Sequence, residues 1–141
     1  IGYNGLAGHT FVGNEPDDVG YHAYVIQARD YSAVTAACLM VKASLYDEVG
    51  GFEEELEVAF NDVDFCLKVR EKGYLVVYNP YAVLYHYESK SRGYEDTPEK
   101  RNRFEKEAFF TYNKWEKILA DGDPCYNPNL TLSNSDFSLR E

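Results

Sequence analysis

Asp62 and His86 stand 24 positions apart, and they are the residues most able to do chemistry in this chain. Asp62 lies in Asn61-Asp62-Val63-Asp64-Phe65-Cys66-Leu67-Lys68-Val69-Arg70, which reads as the start of a helix. His86 lies in Tyr85-His86-Tyr87-Glu88, at the end of an apolar run. A carboxylate can take a proton from a hydroxyl, and an imidazole can ligate a divalent metal. The backbone dipole at a helix start favours a carboxylate by about 0.3–1 kcal/mol. Residues two apart on a helix point about 200° apart, so Asp62 and Asp64 cannot face one site together. One of them faces a cleft, while the other caps, pairs or meets solvent. The plain alternative is two capping carboxylates and a hydrogen-bonded edge histidine, and convergence in space decides between the two.

Other polar residues extend the set. His86, Ser89, Ser91 and Arg92 put an imidazole, two hydroxyls and a guanidinium within seven residues, beside Gly93. Together they suit a metal-bound diphosphate, the imidazole on the ion and the others on phosphate oxygens. His9 and His22 flank Asp17-Asp18 and read as solvated loop residues. Gly50-Gly51 serves either loop closure or the close approach of backbone to a ligand. Cys38, Cys66 and Cys125 are odd in number, far apart and without paired ligand spacing, so they read as small buried thiols in a reducing, cytoplasmic setting. Asn129-Leu130-Thr131 matches a glycosylation sequon, which carries no weight in that compartment.

Composition bounds the partners. The chain has 141 residues, enough for one domain with a moderate core. Its formal net charge is -10, with 7 basic and 16 acidic side chains in residues 1–96 against 7 and 8 in residues 97–141. Such a surface repels phosphate backbones, so nucleic acid is excluded as an expected partner. No apolar run is long enough to span a membrane. The opening at Ile1, without Met and inside a Gly/Asn-rich stretch, looks like a cut made within a longer protein.

Positioning elements follow from pattern. Residues 1–31 read as a loop-rich lead-in with a short strand near 24–27. Residues 34–41 are a continuous apolar run, the signature of a strand buried on both faces. Residues 42–49 are helix-like and stop at Gly50-Gly51. Asn61 or Asp62 caps the next helix, which runs to about 72, before Gly73. Residues 74–78 and 81–85 read as two strands divided by Asn79-Pro80. Thr97-Pro98 opens the longest helix, with Phe104, Ala108, Tyr112, Trp115 and Leu119 as its apolar stripe and an end near Gly122. Residues 123–141 form an extended tail against the body. The organisation is thus lead-in 1–31, catalytic half 32–96, amphipathic helix 97–122 and tail 123–141.

Taken in order, these pieces resemble the C-terminal half of a bacterial family 2 glycosyltransferase with a GT-A fold, of the rhamnosyl- and galactofuranosyltransferase kind. The resemblance rests on Thr35-Ala36-Ala37-Cys38-Leu39-Met40-Val41, Val49-Gly50-Gly51-Phe52-Glu53-Glu54, Asn61 to Arg70, Gly73-Tyr74, Pro80, and His86 with Ser91-Arg92-Gly93. It implies an α/β fold, a mixed sheet with flanking helices, incomplete without its N-terminal half. It further implies Asp62 as catalytic base, and His86 as a ligand to Mn²⁺ or Mg²⁺ on a nucleotide-diphosphate sugar. Ser91 and Arg92 would lie over the diphosphate, and Asp64, Gly51, Phe52 and Glu54 would contact or support the acceptor. The acceptor would be a glycan or lipid-linked glycan, the setting cytoplasmic or membrane-associated through other parts, and a homodimer is compatible. Asn61 replaces the usual acidic residue before the base, Ala36 replaces the usual Gly, and the nucleotide-binding half with its Asp-x-Asp motif is absent. Two alternatives stand beside this one: a non-catalytic acceptor-side or docking module, and a metal-dependent phosphohydrolase. The second would place a nucleophilic aspartate just after an apolar strand, whereas Val58-Ala59-Phe60 is short and acidic-flanked.

Overall fold

A computed structural model describes residues 1–87 and 97–140. Its regular elements are β1 (Arg29–Asp30), α1 (Ala43–Glu48), α2 (Asn61–Glu71), β2 (Val77–Tyr78) and α3 (Pro98–Asp121), with short 3-10 turns between them. β1 and β2 pair antiparallel, Arg29 opposite Tyr78 and Asp30 opposite Val77, and Tyr31 N–H extends the ladder to Val76 O at 2.8 Å. Among the described residues no helix is long and apolar enough to cross a membrane.

The centre of the fold is α2. Phe65, Cys66 and Val69 on its inner face pack with Val76, and Ala33, Val34, Leu39, Val41, Leu45, Tyr46 and Val49 close over them. Burial pushes the Cys66 thiol up to about 11, so it stays a neutral core atom. The helix ends where the sequence signals it, with Gly73 at φ 83 and its N–H on Arg70 O at 2.8 Å. Its start differs from expectation. Neither Asn61 nor Asp62 is the cap; Phe60 holds that position at φ 61, ψ 4 and makes no side-chain cap bond. A non-glycine residue in the left-handed region carries backbone strain.

Residues 34–41 are not a doubly buried strand. Thr35 Oγ1 accepts from Ala37 N and caps a 3-10 turn at Ala36–Cys38. The apolar run therefore packs on α2 from one side only, leaving Met40 at 99% exposure and Cys38 exposed, contrary to the expectation of three buried thiols. The strand expected at 24–27 falls instead in a 3-10 turn, Tyr21–Ile26. Of the two expected strands after Gly73, only Val77–Tyr78 forms among the described residues, and residues 81–87 are exposed.

α3 starts as expected, with Thr97 Oγ1 accepting from Lys100 N at 3.3 Å and Pro98 in the first turn. Its buried face takes in Trp115 of the expected stripe but not Phe104 or Tyr112. Phe104 and Tyr112 are 41% and 44% exposed, while Glu107, Thr111 and Trp115 turn inward. The tail lies against the body: Leu130 bridges Leu139, and Phe137 is buried among rings of the lead-in. Phe137 stacks on Phe11 at 4.9 Å and on Tyr21 at 4.8 Å, with Tyr126 5.5 Å away.

Candidate active site

Asp62 and His86 line the same cleft, an open cavity of about 740 Å³. Three parts of the chain build it. The lead-in supplies His9, Phe11 and Tyr24; the segment around β1 supplies Tyr31 and Thr35; the start of α2 supplies Phe60, Asp62 and Val63. Tyr78 and Tyr87 complete the wall near His86.

The Asp62 carboxylate is half-buried and held at two points. Oδ1 accepts from Val63 N at 2.9 Å, and Oδ2 accepts from Ala36 N at 3.1 Å. The second bond ties α2 to the Thr35–Cys38 turn, so two of the motifs singled out in the sequence meet at one carboxylate. An ionised carboxylate has about four acceptor positions, so two bonds fix its orientation without exhausting it. Such a group in a cleft can take a proton from a bound hydroxyl.

Asp64, two residues on, has the opposite surroundings. It is 0% exposed and does not line the cleft. Trp115 Nε1 donates to its Oδ1 at 2.9 Å, and the Lys114 and Lys68 ammonium groups lie 2.8 Å from Oδ1 and Oδ2. Lys114 also meets Glu53 at 2.6 Å. Burial pushes the Asp64 carboxyl up, yet the bonds from Lys114, Lys68 and Trp115 outweigh it and hold the carboxyl below its usual range. Asp64 is thus the joint between α2 and α3.

Of the other expected site residues, Gly51, Phe52 and Glu54 do not line the cleft. Gly51 is buried at φ 66, and a Cβ there would meet the Tyr46 ring at 2.8 Å; its carbonyl accepts from Lys68 Nζ at 3.2 Å. Phe52 packs at 5.8 Å from Tyr46 and 5.1 Å from Phe65, and Glu54 is exposed. Ser91 and Arg92, with Ser89, lie outside the described residues. Among the described residues no group of three His, Cys, Asp or Glu side chains could hold a metal ion, so they do not by themselves make a metal centre.

Two features escaped the sequence reading. One is Glu107, whose Oε2 accepts from Ala59 N at 2.6 Å, just before Asp62. Its spacing of four from Thr111 and eight from Trp115, which puts the three on one helix face, was the available signal. The other is a ring wall: the Arg29 guanidinium lies 3.2 Å from the Tyr24 ring centre and 4.9 Å from that of Tyr31. Tyr78 meets Tyr31 edge-on at 6.0 Å, and its hydroxyl donates to Val25 O at 2.8 Å.

Set beside known proteins, this chain is similar to short parts of longer relatives. It is 32% identical over 142 residues to the O-antigen biosynthesis protein RfbC of Myxococcus xanthus, covering 99% of this chain and 11% of that protein. It is 35% identical over 60 residues to an N-acetylglucosaminyl-diphospho-decaprenol L-rhamnosyltransferase of Mycobacterium tuberculosis, covering 43% of this chain and 20% of that protein. A third relative, the uncharacterized protein y4gI of Sinorhizobium fredii, is 51% identical over 140 residues, covering 99% of this chain and 15% of that protein. The chain therefore spans only 11% to 20% of the length of these relatives. No family model and no solved structure matches it.

Proposed function

We propose that this chain is the acceptor-side, catalytic half of an inverting family 2 glycosyltransferase with a GT-A fold. The reaction moves a sugar from a nucleotide-diphosphate donor to a hydroxyl of a glycan or lipid-linked glycan, in the cytoplasm or at a membrane surface. One observation carries the reading: Asp62, Thr35 and His86, drawn from three separated motifs, line one cleft. The names of the relatives, one in O-antigen biosynthesis and one in rhamnosyl transfer, support it.

Asp62 takes the proton of the acceptor hydroxyl as its oxygen attacks the anomeric carbon. The bond from that carbon to the diphosphate breaks, and the diphosphate leaves from the opposite face with the electron pair, inverting configuration. General-base assistance of this kind contributes about 10²–10⁴-fold. In this reading His86 would be one ligand to Mn²⁺ or Mg²⁺, and the ion would supply positive charge against the leaving diphosphate. The rings of Tyr24, Tyr31 and Tyr78, fixed by Arg29, give the acceptor a rigid, largely apolar wall with few polar groups, as concave ligand sites have.

Asp62→Asn in the full-length protein should abolish sugar transfer from UDP- and dTDP-sugars while leaving donor binding in Mn²⁺ within about threefold, since an amide keeps the shape but cannot accept the proton. Turnover that survives sinks the assignment, because buried Asp64 cannot replace it. A second reading, a docking module without activity, draws on the lack of a three-ligand metal group among the described residues. It requires turnover of the full-length protein to be unaffected by Asp62→Asn.

A further inference from the structure

Glu107 is a carboxylate in an expensive place. It is 3% exposed, on the inner face of α3, and it lies 48 residues from the backbone amide it binds. Oε2 takes the Ala59 N–H at 2.6 Å, whereas Oε1 accepts no hydrogen bond among the described residues and forms a long ion pair with Arg103 Nε at 3.7 Å. A buried carboxylate held by one hydrogen bond and one long ion pair is costly, so where its bond lands says what it holds. It lands beside a strained residue. Phe60 sits in the left-handed region at φ 61, its ring 5.4 Å from Phe104, one turn before Glu107 on α3. Its carbonyl accepts from Asp64 N at 2.8 Å and so starts α2. Two contacts from α3 thus hold the strained turn from which Asp62 is aimed.

We infer that Glu107 is a positioning residue for Asp62. Its bond to Ala59 N–H holds the 59–60 turn in the conformation that sets the direction of the Asp62 carboxylate in the cleft. The inference rests on the reading of Asp62 as base. A base displaced by an ångström can lose about a hundredfold in rate, so the effect should fall on kcat and not on donor affinity.

The experiment uses full-length protein, turnover of UDP- and dTDP-sugars, and amide hydrogen exchange at residues 59 and 60. Glu107→Gln keeps an oxygen that accepts the Ala59 N–H. Glu107→Asp keeps the charge but is one methylene too short to reach it. The expected result is kcat within about threefold of wild type for Glu107→Gln and lowered about ten- to a hundredfold for Glu107→Asp, with donor KM unchanged in both. Exchange at residues 59 and 60 should speed up only in Glu107→Asp. Equal kcat in Glu107→Asp and wild type overturns the inference, as does a Glu107→Gln that falls as far as Glu107→Asp. Should Glu107→Asp fail to fold, Glu107→Met, which fills the space without an acceptor, takes its place: kcat lowered about tenfold or more with faster exchange at residues 59 and 60 supports the bond, and wild-type kcat refutes it. Asp62→Asn separates the two failures. If it is inactive while the Glu107 variants change only stability, this inference alone is lost; if it is active, the reading of the base is lost and the exchange result still reports on the turn.

Discussion

Two joints hold sequence-distant parts of this molecule together, and they use different physics. Between α2 and α3 the joint is charged: Asp64 meets Trp115, Lys114 and Lys68, and Glu107 meets the Ala59 amide. Between lead-in and tail the joint is aromatic: Phe137 lies among Phe11, Tyr21, Tyr24 and Tyr126. Ring stacking fixes contact area with loose geometry, so it tolerates small shifts. Hydrogen-bonded charges fix direction, and losing one partner strands the others. The directional joint stands behind the candidate base; the tolerant one stands behind the cleft wall.

The widest gap between them should appear on truncation. Asp64→Ala should cost about 4 kcal/mol in chemical denaturation, because it leaves two ammonium groups and an indole N–H without their shared partner. Phe137→Ala should cost about 3 kcal/mol, mostly lost area and a partly collapsing cavity. If Phe137→Ala proves the costlier of the two, the charged joint is not the stiffer one. A smaller effect comes from pH. The carboxyls of Asp64 and Asp30 lie below their usual range, burial pushing each up and cationic partners (Lys114 and Lys68 for Asp64, Arg70 for Asp30) pulling it further down. Their contribution is fully present above the free carboxyl value of about 3.9 and is lost as pH falls through the lower folded value. Burial, followed by the charge of Asp136, raises the Tyr126 phenol. Its contribution is present below about 10 and is lost as pH rises through the folded value. Acid should therefore loosen the α2–α3 joint first and alkali the tail, which residue-resolved hydrogen exchange across pH can separate. Parallel loosening of both joints would refute the distinction.

The helices were legible because their signals are local. Thr97-Pro98 and Gly122 bound α3, and Gly73 closes α2, at the positions their chemistry requires. What escaped was set by partners far along the chain. Residues 34–41 carry a strand's apolar pattern, but Asp62 takes the Ala36 amide and Thr35 folds it into a turn. That same use of Asp62 explains why it does not cap α2. Phe104 and Tyr112 fell outside the buried face of α3 because part of its docking surface is a carboxylate and a backbone amide, and apolar periodicity cannot report that. Phe137, a single ring in a Ser/Asn-rich tail, has no periodicity to read. Of the candidate site, Asp62 and His86 do share a cleft, whereas Gly51, Phe52, Glu54 and Asp64 do not line it.

The inward face of α3 has one more consequence. An apolar helix face can slide by a turn, about 5.4 Å, and find comparable grease in the new place. Glu107 and Trp115 cannot be shifted that way, because each has a single atom to meet, Ala59 N for one and Asp64 Oδ1 for the other. The helix is keyed as well as buried. Its seating admits one register, and a sequence that kept every apolar residue but lost these two would still bind α2 without knowing where to stop.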